Sequence, residues 1–149
     1  MFNVFSPARI SVPFTDRALK STLDRLESEW EDYKSTRDRD AVYLYLTAVF
    51  EVVTWLEHEQ RAIEYARHAL ILRGHHNLAQ TKLEPFAAMI QCSVGSSELD
   101  EKTRSKWSRV LRYAAEYKSL SESLQDFIKR KGGINRCAAR YTLRLGRSR

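Results

Sequence analysis

The sequence predicts an all-α protein. A helical hairpin or bundle body follows an extended N-terminal arm and precedes a basic C-terminal segment of three helices. Three observations predict this. Apolar residues recur at steps of three and four along most of the 149-residue chain, the spacing of one helix face. Gly (5) and Pro (3) are too scarce for the many tight turns of a β-sandwich. With 43% apolar and 11% aromatic residues, a chain of this length can bury a core without metal or disulfide staples.

The elements follow in order. Residues 1–14 form the arm. Ile10, Val12 and Phe14 alternate with Ser11 and Pro13, which suits an extended segment better than a helix. Thr15 and Asp16 are both placed to cap a first helix ending near Lys34. On it Leu19, Leu23, Leu26, Trp30 and Tyr33 recur at steps of 4, 3, 4, 3. This is an apolar seam of coiled-coil type, expected as a packing or dimer interface. A polar turn, residues 35–40, leads into residues 41–73, which lack Gly and Pro.

The start of that stretch is rich in β-formers, yet Val42, Leu46, Val49, Val53 and Leu56 keep a helical step beside a second row, Tyr45, Ala48, Val52 and Trp55. The stretch is either one helix of roughly 50 Å or two, broken near residues 57–60. Glu57 and Arg61 have the favourable i, i+4 order. Gly74 ends the stretch, residues 75–83 read as loop, and Pro85 opens a short apolar helix. Residues 15–93 make the body and 94–99 the linker to the segment 100–149. There Asp100 caps a helix to about Lys118, Ser121 caps a second to Lys131, and Gly132 and Gly133 break it. A third runs from Ile134 to about Leu145.

Charge is divided along the chain. Residues 101–149 hold 14 Lys/Arg and 4 Asp/Glu, a net +10, whereas residues 1–100 carry a net −4. A local excess this large points to an anionic partner. The last two C-terminal helices, joined by a Gly-containing turn, resemble the general outline of a helix-turn-helix module over about residues 121–145, although Ile128 stands where such turns carry a small residue. That outline implies that the last helix enters a DNA groove. Arg136, Arg140 and Arg144 step along one side of it with Asn135 at its start, and Lys106, Arg109, Lys129 and Arg130 lie on neighbouring helices. An arginine fork suits phosphate and the guanine edge alike.

The expected function is therefore that of a small nucleic-acid-binding protein, a DNA-binding regulator dimerising through its N-terminal helices. The alternative is a non-enzymatic interaction module (an adaptor, inhibitor or anti-activator) whose basic face docks an acidic protein. No catalytic residue, cofactor or metal is expected. Nucleotide-binding glycine motifs, zinc-protease and nucleophile-elbow motifs are absent. His75 and His76 lack regularly spaced co-ligands. Cys92 and Cys137 have no CxxC spacing and read as buried free thiols. Without a basic-then-apolar leader or a long apolar run, the chain is expected to be cytoplasmic, with no membrane span.

Overall fold

The computed structural model describes residues 15–36, 38, 40–95 and 98–147. The arm 1–14 lies outside the described residues, as do Ser96 and Ser97 of the expected linker. The described residues form eight helices and no strand. These are α1 (Asp16–Thr36), α2 (Ala41–His58), α3 (Ala62–Leu72), α4 (His76–Ala79), α5 (Pro85–Ser93), α6 (Glu101–Tyr117), α7 (Leu124–Arg130) and α8 (Ile134–Arg147). The protein is all-α.

Helix α1 starts where the Ala18 amide donates to Thr15 Oγ1 at 3.1 Å, so Thr15 is the cap. Its seam turns inward. Leu19, Leu23, Leu26 and Trp30 are all buried within the single chain, and Tyr33 packs half-buried beside them. The expected interface is thus an internal one. With α2, α3 and α5 packed on α1, burying the seam within the chain already removes its apolar area from water. It leaves little to gain from a second copy.

Helix α2 forms despite its β-rich opening because both of its apolar rows find partners. Val42, Tyr45, Leu46, Ala48, Val49, Val53 and Leu56 are buried. Residues 41–73 are two helices, not one. Gln60 adopts φ +60, the Arg61 amide donates to the Leu56 carbonyl at 2.8 Å, and the Gln60 amide donates to the Glu57 carbonyl at 3.0 Å. This pair of reversed bonds is a Schellman end, made here without glycine. The break also overturns the expected Glu57–Arg61 pair. Arg61 instead meets Glu64 at 3.9 Å, and Glu57 is taken by Arg112. The same two-bond end recurs at Gly74 (φ +85) and Gly132 (φ +102), where the left-handed backbone favours glycine.

Helix α5 is the central rod of the body, lying against α1, α2, α3 and α6. Pro85 supplies its first turn and Glu84 caps it, accepting from the Phe86 amide at 2.7 Å. One core runs through the expected linker into the basic segment. Trp107 of α6 stands 6.1 Å from Trp30 and 6.0 Å from Tyr45, ring centre to ring centre. Such tilted aromatic pairs add to simple burial. The Tyr45 hydroxyl meets Ser93 Oγ at 2.6 Å inside that core. Among the described residues, no helix is long and apolar enough to cross a membrane.

Candidate nucleic-acid interface

The basic face is built on α6, α7 and α8. Asp100 caps α6 by accepting from the Thr103 amide at 2.7 Å. Trp107, Val110, Leu111, Tyr113 and Ala114 point inward, which sets Lys102, Lys106 and Arg109 outward. Ser123, not Ser121, caps α7, accepting from the Asp126 amide at 3.1 Å. Leu124, Phe127 and Ile128 anchor α7 in the core. The turn at Gly132 and Gly133 then launches α8, which Cys137 and Ala138, with the half-buried Ile134 and Tyr141, hold against α6 and α7. A methyl group at position 132 would stand 2.5 Å from Arg136 Cδ. Glycine there gives Arg136 room to lie along the turn.

The eight residues expected to bind nucleic acid divide into two groups. Asn135, Arg136 and Arg140 are exposed on the outward side of α8 and have no partner among the described residues. Half-exposed Lys106 also has no hydrogen-bond or ion-pair partner there, and with Lys102 and Arg109 it edges a shallow surface hollow of 460 Å³. Arg109 Nη1 donates to Thr142 Oγ1 of α8 at 2.7 Å, which joins the α6 strip to the α8 face.

The other three are engaged by acidic groups. Arg144 is held by Glu116 and donates through Nε to the Tyr117 hydroxyl at 3.1 Å. Burial works against its charge, but Tyr117 and Glu116 outweigh this and hold the guanidinium above its usual range. Arg130 forks onto Glu122 at 2.8 and 2.9 Å, and its hydrogen bond lowers the Glu122 carboxyl. Lys129 reaches Asp40 at 3.4 Å across to the body. That last contact is about half exposed at both ends and weak.

Arg112 of α6 turns away from the basic face. It donates to Glu57 at 3.0 Å and Glu84 at 2.7 Å, and its guanidinium lies 4.6 Å over the Phe86 ring. Part of the charge asymmetry is therefore internal wiring, since Arg112 and Lys129 tie the basic segment to carboxylates of the acidic body. Sequence reasoning did not find the Arg144–Glu116–Tyr117 group, because α6 and α8 meet only in three dimensions.

Among the described residues no group of three or more His, Cys, Asp and Glu side chains could hold a metal ion. Cys92 and Cys137 are free and buried. Burial pushes the Cys92 thiol up to about 12 and raises that of Cys137 as well. No protein-family model, curated protein or solved structure matches the chain.

Proposed function

We propose that the protein binds nucleic acid, DNA foremost, through the outward face of α8 and the adjoining strip of α6, and serves as a cytoplasmic, non-enzymatic regulator. One observation carries this reading. Arg136 and Arg140 stay exposed and unpaired among the described residues, on a helix whose neighbouring cations, Arg130 and Arg144, are matched with acids. Cations left without an internal counterion are the ones that release counterions when they meet phosphate. With Lys102, Lys106 and Arg109 beside them, roughly five phosphates come within the face, and log K should fall against log salt with a slope near about −4.5.

Fluorescence anisotropy with a labelled duplex, titrated in salt, tests the reading. Arg136→Ala with Arg140→Ala should weaken binding and flatten the slope by about 2. Absence of binding at about 50 mM salt, or a double variant that binds like the parent, refutes it.

A second reading is favoured by a different observation. Arg112 and Lys129 already grip carboxylates of the chain's own body, so the segment is built to dock acidic protein surfaces. Under that reading the protein is an adaptor, inhibitor or anti-activator. Recovery of one stoichiometric protein partner, free of nucleic acid and lost in the Arg136→Ala, Arg140→Ala variant, would decide for it.

A further inference from the structure

We infer that α8 enters the major groove of B-form DNA, and that Ala139 and Leu143 contact thymine methyl groups beside guanine-reading Arg136 and Arg140. This rests on the nucleic-acid reading above and adds to it the groove that α8 enters and the residues that select sequence.

The argument begins with which side chains α8 leaves uncovered. At about 100° per residue, positions 135, 136, 139, 140 and 143 fall on one side of the helix. All five are exposed. Among the described residues, α8 lies against α6 and α7 alone, so this side faces no other element. Leu143 is 61% exposed at the middle of it, with Ala139 one turn earlier. The face is therefore not a plain solvated basic stripe. It alternates hydrogen-bonding forks with small apolar contacts.

That mixture matches the chemistry of the major groove. Guanine offers two acceptors there to an arginine fork, and thymine offers a methyl group to an apolar side chain. A groove about 12 Å wide admits one helix of about 10–12 Å diameter. A-form RNA does not fit, because its major groove is too narrow for side chains to read and uracil has no methyl group.

The flanking strip supplies the positioning contacts. Lys102, Lys106 and Arg109 sit on α6, and Arg109 touches α8 through Thr142. They are placed to meet backbone phosphate, which fixes register without reading sequence. Arg144 acts differently. Held by Glu116 and Tyr117, it fastens α8 to α6 and is a positioning residue.

The test selects duplexes from a randomised pool with the full chain and compares the winner with a scrambled duplex by anisotropy. The expected winner contains guanine and thymine within one half-turn. Replacing its thymines one at a time by deoxyuridine should weaken wild-type binding about fourfold at the contacted base, the factor that corresponds to about 0.8 kcal/mol for one buried methyl group. Leu143→Ala should lose that sensitivity at the thymine Leu143 contacts and keep it at the one Ala139 contacts. Arg136→Ala should lose about tenfold on the selected duplex and little on the scrambled one. Arg144→Ala should melt earlier yet keep the preferred sequence. Circular dichroism checks that the variants at positions 136 and 143, both exposed, remain folded.

Equal affinity for all duplexes would overturn this inference and leave the proposed function standing. So would wild-type indifference to deoxyuridine, or a changed preference in Arg144→Ala. Failure to bind any duplex would remove both.

Discussion

Replacing Arg112 should unfasten the basic segment from the body. Its guanidinium joins three groups, namely Glu57 of α2, the α5 cap Glu84, and the Phe86 ring. Burial opposes the Arg112 charge, and the two carboxylates outweigh it, holding the group above its usual range. Hydrogen bonds to charged partners are worth about 1.5–3 kcal/mol each when buried. Here the side chains are 20%, 31% and 42% exposed for Arg112, Glu57 and Glu84, so solvent screening reduces that by about half. The cation–ring contact adds about 0.5–1 kcal/mol.

Arg112→Met, which keeps the apolar stem, should therefore cost about 2–4 kcal/mol, partly because two facing carboxylates are left without their cation. For a chain of this size that is a melting-point drop of roughly 4–16 °C. Arg112→Lys should recover less than half, since an ammonium lacks the planar fork that meets both carboxylates while lying over the Phe86 ring. Urea unfolding followed by circular dichroism gives the cost. A cycle with Glu57→Gln plus Glu84→Gln isolates the coupling. A strictly additive cycle, or an Arg112→Met protein melting within about 2 °C of the parent, would show that the bridge contributes nothing and the reasoning is wrong.

Other consequences follow from single residues. Gln60→Gly should stabilise the protein by about 1 kcal/mol in urea, because glycine adopts the left-handed backbone of that helix end without a Cβ penalty; a loss of stability would mean that the Gln60 side chain matters more than its φ. Cys92 and Cys137 should both resist a thiol reagent at about pH 8, close to the ordinary thiol range, in the native state and react once urea unfolds the chain. Rapid native labelling of either would contradict their burial. Hydrogen bonds from Thr103 hold the Asp100 carboxyl below its ordinary range, opposed by burial and aided by the Lys102 and Lys106 charges. Its contribution is thus present above about pH 4 and lost as pH falls through the lowered folded value. Asp100→Asn should flatten the acid limb of the stability–pH curve, and an unchanged limb would count against a depressed carboxyl.

The all-α class, the caps at Thr15 and Asp100, and the breaks at Gly74 and at Gly132 with Gly133 are local matters. They depend on side-chain spacing of three and four, on one short polar side chain, or on one residue without a Cβ, so the chain's own order of residues carries them. Arg136 and Arg140 were legible in the same way, as positions four apart on a helix whose other side is apolar. The break at Gln60 was not, since nothing in a glutamine marks a left-handed turn. There the packing of Tyr65, Ala66, Ala69 and Leu70, after the chain has changed direction, outweighs the local strain. Nor did the periodicity of α1 say whether its leucines would meet this chain or another.

The sequence by itself thus determined the helical class, the inward faces of the longer helices and the gathering of positive charge after residue 100, but not the short helix His76–Ala79, where a loop is expected. Only the tertiary structure decided which of those charges remain available. Ion pairing depends on distances between elements far apart in the chain, and Glu57 with Arg112, Asp40 with Lys129 and Glu116 with Arg144 meet only once the helices have packed.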